Sequence, residues 1–254
     1  MSFETWINTR RKQKNILLMT HIVLGYPDFD KSLELIETMV DAGVDMMELQ
    51  IPFSEPIADG PVILHANQEA LNGGATVEQC LLLAEKVSRE FPIPFVVMTY
   101  YNILFKYGVD AFCRRLAQAG LHGAIVPDLP PEEAGDYLRA IRENALNPIF
   151  IFSPTSSDAR LKYLNQFARG FIYCVARKGV TGAETEFSQS LFHYLQRCRQ
   201  ATSLPLALGF GIKSRRDIAS IENHADIAVV GSQTLRIMEE NGVQGVKNFL
   251  HSLM

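Results

Sequence analysis

Hydrophobic positions along the chain fall into two alternating rhythms. Eight short runs, at 17–24, 45–51, 94–100, 123–126, 148–152, 171–175, 205–208 and 227–230, are apolar over most of their length. Parallel strands covered on both faces read this way, because neither face meets water. Between the runs lie longer segments whose apolar residues recur every three or four positions. At 31–41, Leu33, Ile36 and Val40 share one helix face, and 109–119, 132–144, 158–167, 188–200 and 214–223 carry similar stripes. Gly43 and Gly120 close two of these segments, where a helix commonly ends on left-handed backbone.

Eight β-α repeats in one unbroken alternation predict a parallel sheet, and eight strands are the number that closes it. The expected fold is a single (β/α)8 TIM barrel, one domain over residues 1–254, with no low-complexity linker. The rival is an open doubly wound sheet, and its G-x-G-x-x-G signature is missing after the first strand. A hydrophobic content of 47% against 20% charged residues supplies a large core and argues against disorder. The net charge of −4 and the lack of a basic run with interleaved aromatics argue against nucleic-acid binding. Cys80, Cys113, Cys174 and Cys198 stand singly, in a pattern that suits neither a disulfide framework nor a zinc site. Residues 1–14 are charged throughout, unlike a signal peptide, and no apolar run approaches the roughly 18–20 residues of a membrane span. A soluble, cytoplasmic protein with no membrane contact is expected.

Active sites of such barrels sit at the C-terminal ends of the strands. Two glycine-bearing loops lie there. Gly209-Phe210-Gly211-Ile212 follows the seventh run, and Gly231-Ser232 follows the eighth and opens a helical segment. Backbone N–H groups at a helix start, approached closely where side chains are missing, favour a phosphate. Either loop alone reads equally well as a tight turn; the two together favour phosphate.

Proton-transfer candidates come from the second run. Alternation puts Met46, Glu48 and Gln50 on one face and Met47, Leu49 and Ile51 on the other. The second face suits packing against helices, so Glu48 points into the barrel mouth. A structural glutamate paired with a cation is the alternative, but none of the eight runs holds an interior Lys or Arg. Asp59 follows in a loop stiffened by Pro52, Pro56 and Pro61, where a turn-forming role competes with a catalytic one. The polar loop 177–184 reads either as a lid or as a plain connection. A Schiff-base aldolase would need a strand lysine, and a metal aldolase clustered ligands. Lys178 lies in a loop and the six histidines are scattered, with only His21 on a strand. Carbon–carbon cleavage at such a site would run on carboxylates, with no metal.

The stretch ELQIPFSEPIADGP from Glu48 to Pro61 resembles the second-strand signature of tryptophan synthase alpha chains. GVTG at 179–182, GFGI at 209–212, VVGS at 229–232, YYN at 100–102 and PDLPPEE at 127–133 match the same family in order and spacing, over essentially the whole chain. The resemblance implies a lyase of tryptophan biosynthesis that splits indole-3-glycerol phosphate by a retro-aldol step into indole and glyceraldehyde 3-phosphate. It implies Glu48 as the acid–base group and Asp59 as the residue that holds the indole N–H. Tyr173 corresponds to an aromatic residue near Glu48. Gly182, Phe210, Gly211, Gly231 and Ser232 correspond to the phosphate cradle, and Thr181 to the lid residue that closes onto Asp59. It implies an αββα heterotetramer with a tryptophan synthase beta chain that receives the indole, and no cofactor on this chain. A weakened alpha-like subunit that mainly activates the beta chain is the alternative; it would have lost Glu48 or Asp59, and both are present. The chain departs from the family pattern at His21 (an apolar aromatic is usual), Tyr26 (Asp), Gln50 (Gly), Glu55 (Asp) and Ala176 (Ser).

Overall fold

The computed structural model describes residues 2–176, 189–209 and 211–254. Eight parallel strands close into a barrel in sequence order, β1 pairing with both β2 and β8. They are β1 Leu17–Val23, β2 Met46–Gln50, β3 Phe95–Met98, β4 Gly123–Ile125, β5 Asn147–Phe152, β6 Ile172–Val175, β7 Leu206–Gly209 and β8 Ile227–Val230. Each of the eight apolar runs contributes one strand, shortened by one or two residues at half of the ends; β5 and β7 each reach one residue past their run. The six striped segments are helices α2 Phe29–Asp41, α6 Val109–Gln118, α7 Gly135–Glu143, α8 Asp158–Phe167, α9 Gln189–Ala201 and α10 Arg215–Ile221. Gly43 and Gly120, at φ +86° and +78°, supply the left-handed turns that end α2 and α6. The chain also forms helices that the stripes did not disclose: α1 Phe3–Arg11, α3 Pro61–Asn72, α4 Val77–Glu90, α5 Tyr101–Tyr107 and α11 Ser232–Leu253.

Two apolar layers follow from strand alternation. Outward residues such as Met47, Leu49, Val97, Phe152 and Leu208 pack against the surrounding helices. Inward residues, among them Met19, Met46, Val96, Ile125, Ile149, Ala207 and Val229, fill the barrel. Helix α1 closes the bottom: its Phe3 and Ile7 join the inner layer, and the Phe3 ring lies 6.0 Å from that of Phe171.

Two buried aspartates at the strand starts fasten this plug. Asp45, just before β2, accepts from Leu18 N (3.0 Å), Arg10 Nε (3.0 Å) and Lys14 Nζ (2.8 Å). Asp226, just before β8, accepts from Leu206 N (2.6 Å) and pairs with Arg11 (2.7 Å) and Arg199. Each carboxylate thus satisfies a strand N–H and anchors α1. Asp226→Ala leaves a buried N–H and two guanidinium groups without their partner. The expected loss is about 2–3 kcal/mol, because the arginines are partly solvated. Urea unfolding checks this, and a loss under ~0.5 kcal/mol would contradict the anchoring role.

Candidate active site

At the C-terminal mouth the inner layer turns polar. His21 of β1 and Glu48 of β2 are direct partners in the ladder, as are Val23 and Gln50. His21, Glu48 and Gln50 are all buried. His21 Nδ1 lies 3.3 Å from Glu48 Oε1. Glu48 therefore does have a buried ionisable neighbour, one that the search for Lys and Arg on strands did not count. Burial alone would lower the His21 pKa, but the Glu48 carboxylate, with help from Asp59 and Gln50, raises it above the usual histidine value. Tyr173 of β6 faces the same carboxylate; burial and the Glu48 charge push its hydroxyl well above the ordinary range.

Asp59 sits one residue before Gly60, the N-cap of α3, whose first helical residue is Pro61. Its Oδ2 accepts from Gln50 Nε2 at 2.7 Å. Asn67, buried one helical turn and more into α3, closes the loop. Its Oδ1 accepts from Phe53 N (2.9 Å) and Gln50 Nε2 (3.3 Å), while its Nδ2 donates to Ile63 O (2.8 Å). Tyr100 stacks on Phe53 at 4.9 Å, and its hydroxyl accepts from Ala58 N at 3.1 Å. Burial holds the Asp59 carboxyl above its usual range, opposed by the Gln50 bond and the His21 charge. Gln50 and His21 thus take one carboxylate each.

His21, Glu48, Asp59 and Tyr173 line a cavity of about 460 Å³, a size typical of small-molecule sites, and Gln50, Asn67 and Tyr100 stand behind them. The cavity continues past Tyr173 to Gly211, Gly231 and Ser232. Gly231 is the N-cap of α11, so that helix begins in the cavity wall with its unpaired N–H groups. Lys213 and Arg236 line the same space; neither belongs to a motif, and sequence reading passed over both. The cavity therefore has two carboxylates in one region and helix-start N–H groups with two cations in another. Thr181, Gly182 and Phe210, with the loop 177–184, lie outside the described residues. Among the described residues no three His, Cys, Asp or Glu side chains are grouped to hold a metal ion.

Comparison with known proteins gives a consistent picture. Residues 7–253 match the family model described as tryptophan synthase alpha chain. A tryptophan synthase alpha chain of Desulforapulum autotrophicum is 60% identical over 250 residues, covering 98% of this chain and 99% of its own. That of Desulfotalea psychrophila is 53% identical over 253 residues, covering all of both. Among solved structures, tryptophan synthase of M. tuberculosis superposes with a TM-score of 0.90 at 33% identity, covering 100% of this chain and 98% of that one. A tryptophan synthase complex from Pyrococcus furiosus gives 0.85 at 29% identity, covering 93% and 97%.

The Gln50 amide lowers the Asp59 pKa, so removing it should raise that value further. A carboxyl whose pKa is raised on folding binds more protons folded than unfolded. Stability then falls as pH rises from the ordinary carboxylate value through the raised one. Carboxyl-detected NMR should place the Asp59 midpoint higher in Gln50→Ala than in the parent, with a steeper loss of stability across that window. An unmoved midpoint would show that the amide does not act on the charge.

Proposed function

Since the chain belongs to the tryptophan synthase alpha-chain family, we propose that Glu48 and Asp59 carry out its cleavage of indole-3-glycerol phosphate. The reaction yields indole and glyceraldehyde 3-phosphate. Breaking the bond between indole C3 and the first glycerol carbon moves one proton to C3 and removes one from the adjacent hydroxyl. No net proton is exchanged with solvent. Glu48 is the group that moves these protons. A cation develops on the indole ring when C3 is protonated, and Asp59 receives the ring N–H and stabilises that charge. Its role requires an ionised carboxylate, which the Gln50 amide and the His21 charge favour against burial.

The observation that carries this reading is the shared cavity: Glu48 and Asp59 line it together with Gly211, Gly231 and Ser232. The phosphate belongs with the glycines and the start of α11, where the helix dipole and the Arg236 and Lys213 charges favour an anion. The indole belongs among Glu48, Asp59 and Tyr173, with Met98 and Ile125 on the apolar wall. Thr181, Gly182 and Phe210 complete the cradle and the lid in this reading.

The chain acts with a tryptophan synthase beta chain, which takes up the indole. The loop before α3 is its contact, a placement supported by the exposed Glu55 and the 82% exposure of the apolar Ile57. Four buried free cysteines support a reducing, cytoplasmic setting.

Glu48→Gln keeps shape and removes the proton carrier. Turnover of indole-3-glycerol phosphate, assayed with a beta chain present, should fall roughly 10²–10⁴-fold with the circular dichroism unchanged. A near-parental kcat would refute the assignment. Gly211 has φ +43° and borders the cavity, so Gly211→Val both strains the backbone and blocks approach to the anion. Binding of an indole-alkyl phosphate should weaken at least tenfold, and free indole far less; equal losses would mean local misfolding instead.

A further inference from the structure

His21 stands at the top of β1, between two strands that each bring something to the cavity. β2 sets Glu48 directly opposite it, with Nδ1 3.3 Å from Oε1. On the other side, where β8 ends, comes Gly231. A Cβ built there would stand 3.3 Å from His21 Cβ and 3.6 Å from the ring carbon Cδ2. The imidazole therefore packs between the strand that carries the acid–base group and the loop that opens α11. The charged and titratable groups facing this pair are Asp59 from the loop after β2 and Tyr173 from β6, with Lys213 and Arg236 on the wall of the same cavity.

The far atoms of both side chains, Glu48 Oε2 and His21 Nε2, are buried without a hydrogen-bond partner. A carboxylate has two equivalent oxygens in water and turns freely about its last bond. Here Oε1 meets His21 Nδ1 while Tyr173 faces the same carboxylate from β6, so the group is held rather than free to turn. Resting on the assignment of Glu48 as the proton-transfer group, we infer that His21 is a positioning residue for the cleavage, holding the Glu48 carboxylate by Oε1 in the orientation from which it exchanges protons with the substrate. A phenyl ring at this position would fill the same space and take away the partner of Oε1. The pair also has a pH range. The Glu48 charge holds the proton on His21 beyond the usual histidine range. The contact is a charge-assisted bond below that raised value and a weaker neutral one above it.

The test uses the full chain with a beta chain, in four forms: parent, His21→Phe, His21→Asn and Glu48→Gln. His21→Phe should lower kcat about tenfold or more, as expected when a catalytic group loses its alignment, with KM for indole-3-glycerol phosphate little changed. His21→Asn, which keeps an N–H in reach but no titrating ring, should recover most of kcat and lose the alkaline limb of the parent's pH–rate profile. Imidazole NMR supplies a reading independent of turnover. The His21 midpoint should lie above about 6.5 in the parent and fall in Glu48→Gln, where burial acts unopposed. Parental kcat and pH profile in His21→Phe, or a His21 midpoint indifferent to Glu48→Gln, would overturn the inference. Retained turnover in Glu48→Gln would instead overturn the role given to Glu48, and the inference with it; an inert Glu48→Gln beside an unaffected His21→Phe would overturn the inference alone.

Discussion

The hydrogen-bonded register between β1 and β2 is the constraint on which the site depends. It sets Met19 against Met46, His21 against Glu48 and Val23 against Gln50. Because side chains alternate, a slip of one residue in β2 would carry Glu48 and Gln50 out to the helices and bring Met47 and Leu49 into the barrel. Buried charge would then face the apolar layer that α2 and α4 now cover. The cost of that arrangement is what makes the register unambiguous, so the packing and the proposed site are specified by the same alternation.

The lower end of β1 is tied down by two aspartates. At the bottom, Leu18 N donates to the Asp45 carboxylate and Leu17 N to the Asp226 carbonyl oxygen. Those two aspartates also anchor α1, whose Phe3 and Ile7 seal the barrel floor. Above that floor the inner layer is apolar through Met19, Met46, Val96, Ile149 and Val229. Water is therefore excluded from beneath Glu48, and polar partners reach it from the side or from the mouth. A carboxylate in that position gains more from each partner than it would in solution. The plug, far from the reacting atoms, thus bears on the electrostatics of the site.

The sequence rhythm disclosed the eight strands and six of the helices, since each carries its own period. It missed α1, where Glu4, Arg10 and Arg11 mask a two-residue apolar face of Phe3 and Ile7. It also passed over α3, α4 and α5, and of α11 it gave only the start at Ser232. The inward placement of Glu48 followed from alternation within β2 alone. That His21 of the neighbouring first strand comes within reach of Glu48 followed from strand order; the register that sets them side by side did not, because one strand cannot reveal it. His21 stood out as the one strand histidine and Gln50 by sharing a strand face with Glu48, both also departing from a family pattern, and the structure gives each a carboxylate to bind. Asn67, Lys213 and Arg236 had no signal at all: each is an ordinary polar residue whose meaning comes from where a loop or helix start delivers it.

The two carboxylates share a cavity yet live in different surroundings, and this separates their tasks. Glu48 faces a histidine whose proton it stabilises, so it sits in a pair that can hold or release a proton. Asp59 is bonded by an amide that cannot give up a proton under any ordinary condition. Burial pulls Asp59 toward its neutral form, and the Gln50 amide and the His21 charge pull it back. In the proposed cleavage, where Asp59 meets a developing cation, the carboxylate gains from this tension. Partial desolvation strengthens its attraction to the ring N–H, while a fixed neutral donor keeps the charge in place without cancelling it. Had a lysine or arginine taken the place of Gln50, the carboxylate would be ionised more firmly but already neutralised, with less to offer the substrate. The chain thus builds this stabilisation into β2 itself.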